Sequence, residues 1–111
     1  MATISNLYID AGSTYSNIIT VTASNGQPLD LTGYSVASQL RKSYQSSQAF
    51  TFTSSIFNAT QGKIRLQLTD AQSQAIPAGR WLYDVEITSP SGSKTRVVEG
   101  IATVNPQITQ I

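Results

Sequence analysis

The sequence predicts a small all-β protein: an antiparallel β-sandwich of about seven strands with one short helix. Two observations carry that prediction. Apolar residues alternate with polar ones in runs such as Lys63-Ile64-Arg65-Leu66-Gln67-Leu68, the period-two signature of a half-buried strand. Gly, Pro, Asn and Ser clusters break those runs at regular intervals. A strand that is apolar on one face must bury that face against another layer, so many short strands imply two packed sheets.

The elements follow in order. A first strand is predicted over residues 3–10, with a break at Ala11-Gly12-Ser13. The second covers 15–23 and carries the β-branched run Ile18-Ile19-Thr20-Val21, suited to a pleated surface. Ser24-Asn25-Gly26-Gln27 reads as a turn, since Asn-Gly favours the positive φ of a tight hairpin. Residues 28–33 cross to a strand over 34–42, followed by a polar loop over 43–48. Phe50-Thr51-Phe52-Thr53 is a short strand with both aromatics on one face, and 58–62 is a turn. In the strand over 63–68, Ile64, Leu66 and Leu68 face inward while Lys63, Arg65 and Gln67 face water. Thr69 is a good N-cap and Asp70 suits a first helical turn, so 69–76 is the helix, closed by Pro77 and Gly79. Residues 81–87 put Trp81, Tyr83, Val85 and Ile87 on the core face. Ser89-Pro90-Ser91-Gly92-Ser93 is a hairpin loop. The last strand runs over 94–104, where neither parity is cleanly apolar; a β-bulge near Glu99-Gly100 would resolve the conflict.

At 111 residues the chain is expected to form one domain, residues 1–111, with a modest core that needs no metal or disulfide. Cysteine is absent, which excludes a disulfide framework and a thiolate metal site. The start, Met1-Ala2-Thr3-Ile4-Ser5, is not a signal peptide, and no run approaches the length of a membrane span. Charged residues make up 12% of the chain and balance to +1. The basic residues Arg41, Lys42, Lys63, Arg65, Arg80, Lys94 and Arg96 are scattered, which is no footprint for nucleic acid. Ser, Thr, Gln and Asn take the place of charge, and such groups are cheaper to desolvate in a protein contact. A plain soluble β-protein would show much the same composition. The low-charge ends, residues 1–7 and 105–111, have little reason to pack on their own core.

Histidine is absent along with cysteine, which removes imidazole bases, thiol nucleophiles and the usual zinc ligands. Asp84 and Glu86 lie two apart on one outward face and could be a glycosidase pair. The plainer reading is an exposed cross-strand ion pair between Glu86 and about Arg96. Asp30 reads as a cap for the turn Leu31-Thr32-Gly33, and Asp70 as a helix residue, rather than as calcium ligands. Arg41-Lys42 reads as a solvated strand end rather than a phosphate site. Asn58-Ala59-Thr60 matches a glycosylation sequon that is idle without a secretory signal. Trp81, Tyr83, Tyr34, Phe50 and Phe52 could stack on a sugar, but parity assigns Trp81 and Tyr83 to the core. Tyr44 is the aromatic expected to be exposed. No cofactor and no metal is expected.

Four stretches together carry a resemblance. They are Gln27-Pro28-Leu29-Asp30-Leu31-Thr32-Gly33-Tyr34 with the strand ending Gln39-Leu40-Arg41-Lys42; Gly62-Lys63-Ile64-Arg65-Leu66-Gln67-Leu68-Thr69; Ile76-Pro77-Ala78-Gly79-Arg80-Trp81-Leu82-Tyr83-Asp84-Val85-Glu86-Ile87; and Gly92 with Arg96-Val97-Val98-Glu99-Gly100 and Val104. Over residues 15–104 the chain resembles the small immunoglobulin-like domains of tailed-phage virion proteins, in particular the N-terminal domain of phage baseplate upper proteins. The resemblance implies an immunoglobulin-like sandwich and a structural role in a virus particle: tail, baseplate, neck or capsid surface. It implies no catalytic residues. Those baseplate relatives are usually the first domain of a longer chain, whereas this sequence is the domain alone, which leaves a free-standing adaptor or decoration subunit open.

The resulting expectation is a non-enzymatic virion structural protein, made in a host cytoplasm and located in the virion. It would assemble with other head, neck or tail proteins, in several symmetric copies, through sheet edges and termini. The termini point to Ile4, Leu7, Ile108 and Ile111. No nucleic-acid or membrane partner is expected. The alternative is a carbohydrate or host-surface binding module working through loop residues such as Tyr44 and Gln45.

Overall fold

The strand with the cleanest alternation anchors the smaller of two sheets. In Lys63–Leu68 the side chains of Ile64, Leu66 and Leu68 are buried and the intervening ones are not. The computed structural model describes residues 3–23, 25–43 and 45–106. Among these, nine strands form two sheets. They are β1 (Thr3–Ile4), β2 (Leu7–Asp10), β3 (Tyr15–Thr20), β4 (Ser35–Arg41), β5 (Ala49–Thr51), β6 (Thr53–Asn58), β7 (Lys63–Leu68), β8 (Gly79–Thr88) and β9 (Lys94–Asn105), with the helix α1 (Asp70–Gln74) after β7.

The larger sheet runs β1-β9-β8-β4-β5, with β2 continuing β1 along the same edge of β9; the smaller runs β3-β7-β6. Their inner faces bury Leu7, Ile9, Val21, Leu31, Leu40, Phe52, Ile64, Leu66, Leu68, Ile76, Trp81, Tyr83, Val85, Ile87, Val98, Ala102 and Val104. This is the all-β sandwich that the alternation predicts. Most pairings are antiparallel, but β1 and β2 run parallel to β9. The N-terminal strand therefore lies beside the C-terminal one, a pairing of distant segments that local pattern cannot reveal.

Two predicted runs are each broken, which accounts for nine strands where about seven are expected. The first run divides at Ser5 and Asn6, where the Asn6 side chain accepts the Ile101 N–H at 3.1 Å in place of a ladder bond. The run 50–53 is not one strand. Its first half is in the large sheet and its second half in the small one, and Phe52 is the crossing point, buried and donating its N–H to Ser38 O at 3.0 Å. The chain then continues as β6 to Asn58, through residues 54–57 that the sequence pattern leaves unassigned. A 3-10 turn over Ala59–Gln61 follows, ending at Gly62 with φ +66°.

The bulge in the last strand exists, but at Val97 rather than Glu99-Gly100: Val85 faces Val98 while Glu86 faces Arg96, leaving Val97 as the extra residue. That one insertion lets Val98, Ala102 and Val104 point inward and Ile101 outward. Gly100 serves a different purpose. A Cβ there would run into the carbonyl of Ser5, so glycine lets the N-terminal strand lie close.

Local chemistry behaves as the sequence suggests at α1 and the turns. Thr69 Oγ1 accepts from Gln72 N at 3.1 Å while Gln72 Oε1 accepts from Thr69 N at 2.8 Å, a reciprocal capping box. Asp30 Oδ1 accepts from Thr32 N at 3.0 Å and Thr32 Oγ1 at 2.6 Å, which holds its carboxyl below the usual value. At Asn25-Gly26 only the glycine takes a positive φ, +83°, while Asn25 Oδ1 accepts the Gln27 N–H.

Candidate interaction surface

Among the described residues no three acidic or imidazole side chains gather as a metal site. Asp84 and Glu86 do share the outward face of β8. Arg96 lies opposite Glu86 in register, as expected, but its guanidinium bonds Asp84 Oδ2 at 3.1 Å and Glu99 Oε2 at 3.2 Å. Asp84 is nonetheless raised above its ordinary value, chiefly because burial penalises the charged form, with Arg96 pulling the other way. Of the aromatic residues weighed as a sugar platform, Phe52, Trp81 and Tyr83 are buried in the core, and Tyr34 and Phe50 are half-buried against it. Phe50 meets Trp81 edge-on at 5.4 Å and Phe52 meets Tyr83 at 6.3 Å, and Trp81 Nε1 donates to Pro77 O. Tyr44 lies outside the described residues.

The outer face of the large sheet offers a surface of another kind. Register fixes its rows. Ile4 lies beside Glu99, then Asp84, Gln39 and Thr51; Ile101 beside Leu82, then Arg41 and Ala49; Tyr8 beside Thr103, then Arg80. Ile4 is 74% exposed, Tyr8 69% and Ile101 37%, and Leu82 is half-buried among them. These side chains form an apolar strip along the β1–β2 edge. A shallow groove of ≈ 260 Å³ lies next to it, lined by Gln39, Arg41, Leu82, Asp84, Arg96 and Glu99. An exposed apolar strip rimmed by polar and charged groups fits protein contact better than chemistry.

The four terminal residues singled out from sequence separate here. Ile4 is on the strip. Leu7 is a correction: it is 4% exposed and part of the core, because strand alternation turns it inward beside Ile9. Residues 3–7 thus pack on their own sheet, through β9. Ile108 and Ile111 lie outside the described residues. Sequence reasoning missed Tyr8 and Ile101. The signal was present in Leu7-Tyr8-Ile9, apolar on both parities, and in the mixed parity of β9; both mark strands whose outward face is also apolar.

Residues 5–79 match the BppU N-terminal domain family. The chain belongs to that family, the N-terminal domain of phage baseplate upper proteins. Among solved structures it is similar to the N-terminal domain of phage TP901-1 ORF48, at 14% identity and a TM-score of 0.59, covering 91% of this chain and 85% of that one. Weaker likenesses, which carry no argument, are to an internalin-like protein of Listeria monocytogenes (TM-score 0.48, 14% identity, 94% of this chain and 28% of that one) and to AggA, the major subunit of Escherichia coli aggregative adherence fimbriae type I (TM-score 0.42, 15% identity, 94% and 91%). No curated protein matches the chain.

Proposed function

We propose that this chain is a non-enzymatic structural part of a tailed-phage virion, an adaptor or decoration subunit of tail, baseplate, neck or capsid. It acts by assembling with other virion proteins in several copies. Membership of a phage baseplate domain family carries the reading, and the apolar strip supplies the contact. Ile4 and Tyr8 stand outside the core, where truncation costs the fold little, yet an aromatic beside an aliphatic is a common anchor at protein interfaces. Ile108 and Ile111 are the second proposed contact.

Purified particles, analysed by mass spectrometry, test the role directly: the chain should copurify at fixed stoichiometry with head or tail proteins. The double substitution Ile4→Glu with Tyr8→Glu should leave the isolated protein folded and reduce its incorporation at least roughly ten-fold, since charges at an apolar interface core are strongly disfavoured. Deleting residues 106–111 tests the second contact in the same assay. Absence from particles, or wild-type incorporation of both variants, overturns the reading.

A further inference from the structure

Edge strands present unpaired N–H and C=O groups, and proteins usually blunt them by shortness, charge, proline or a bulge. The edges of this sandwich can be compared on that basis. β1 is two residues long and β5 three. β2 ends in Asp10 and is severed from β1 at Ser5-Asn6. β6 is bulged at Phe57, where the register shifts between Ile56 and Asn58. β3, Tyr15-Ser16-Asn17-Ile18-Ile19-Thr20, has none of these devices. It is six residues, continuous, without charge or proline, and on its far side no described strand pairs with it.

Which backbone groups are free follows from the ladder. Val21 N donates to Gly62 O, so the bonded pairs with β7 fall on the odd positions, at Ile19, Asn17 and Tyr15. The N–H and C=O groups of Ser16, Ile18 and Thr20 therefore point away from β7. The return arm of the 21–29 hairpin does not cover them, because Leu29 N bonds Val21 O and Ala23 N bonds Gln27 O on the β7 side. The side chains of Ser16, Ile18 and Thr20 are also exposed, Ile18 by 42%.

We propose that this edge pairs with β3 of a second copy of the chain, antiparallel, with Ile18 on the two-fold axis. The proposal rests on the virion reading and names one contact within it. The strand is self-complementary in that register. Ile18 meets Ile18, Ser16 meets Thr20, and every edge-facing N–H and C=O of both strands finds a partner. Charge permits it. The cations on this face are Lys63, bonded to Thr20 Oγ1 at 3.3 Å, and Arg65, held 4.3 Å over the Phe57 ring on the side away from the edge. Like charges on the two β7 strands would be about 14 Å apart, three strand spacings, beyond the screening length at physiological salt.

The chain has no cysteine, so disulfide trapping on the full protein is a clean test. Residues paired across the axis have Cα atoms about 5.5 Å apart, within disulfide reach. Under mild oxidation Ile18→Cys should give a covalent dimer roughly ten-fold faster than Phe57→Cys, exposed on the opposite, bulged edge strand β6 of the same sheet. Ser16→Cys and Thr20→Cys should each crosslink poorly alone and well when mixed. Adding Pro at position 19 would disturb the bond to β7, so the edge itself is tested by Ser16→Pro. It removes only an edge-facing N–H and should abolish trapping at residue 18 while leaving the circular dichroism unchanged. Equal rates at all positions, absence of the Ile18→Cys dimer, or crosslinking of residue 18 to a different virion protein instead would overturn the proposal. Copurification with particles is read separately, so either reading can fail without the other.

Discussion

The two neighbouring edges of this sandwich present different groups to solvent. The β1–β2 edge of the large sheet is interrupted, ends in Asp10, and offers side chains: Ile4, Tyr8 and, behind them, Ile101. The β3 edge of the small sheet is continuous and uncharged and offers its backbone. Both border one cleft of ≈ 700 Å³ that reaches from Thr3 and Val97 to Thr20 and Val21. A broken edge must rely on side-chain chemistry, which is specific to a partner's surface. An unbroken one can use main-chain bonds, which suit any strand of matching register. One small domain can in this way hold two kinds of neighbour.

Within the first edge, neighbouring residues differ sharply in burial. Leu7→Ala should cost about 2–5 kcal/mol in urea unfolding, because it empties a core position. Ile4→Ala, three residues earlier, should stay within about 0.5 kcal/mol, because its side chain is already in water. Equal costs would mean that the alternation assigned to this edge is wrong. Gly100→Ala should come next, at about 1–3 kcal/mol, as the added Cβ forces β9 and Ser5 apart. It should also weaken the bond from the Tyr83 hydroxyl to Ser5 O. Amide exchange of residues 3–10 should then rise selectively, while β3 keeps its protection.

The smallest effect sharpens the other edge. Burial pushes the Tyr15 phenol, at the start of β3, from its ordinary 10.0 up to about 12, and burial also raises Tyr83. The folded state thus favours the neutral phenols. The contribution of these phenols to stability should be constant below the ordinary value and fall as pH rises from 10.0 to about 12, because the unfolded chain loses those protons first. Tyr15→Phe should flatten part of that decline in urea midpoints measured across the window. An unchanged slope would show that Tyr15 is solvated.

Sequence by itself determined the sandwich, the faces of β7 and β8, the capped helix and the turn at Asp30. Each rests on near neighbours: alternation sets which side chain meets the core, and Thr69 with Gln72, or Asp30 with Thr32, bond within a few residues. The core role of Trp81 was equally legible. Only the tertiary structure decided that β1 and β2 lie parallel to β9, that Leu7 is inside while Tyr8 and Ile101 are outside, that Phe52 carries the chain from one sheet to the other, and that the bulge is at Val97. These depend on which distant strand supplies the hydrogen bonds. A shift of one residue turns every side chain to the opposite face without altering the local pattern.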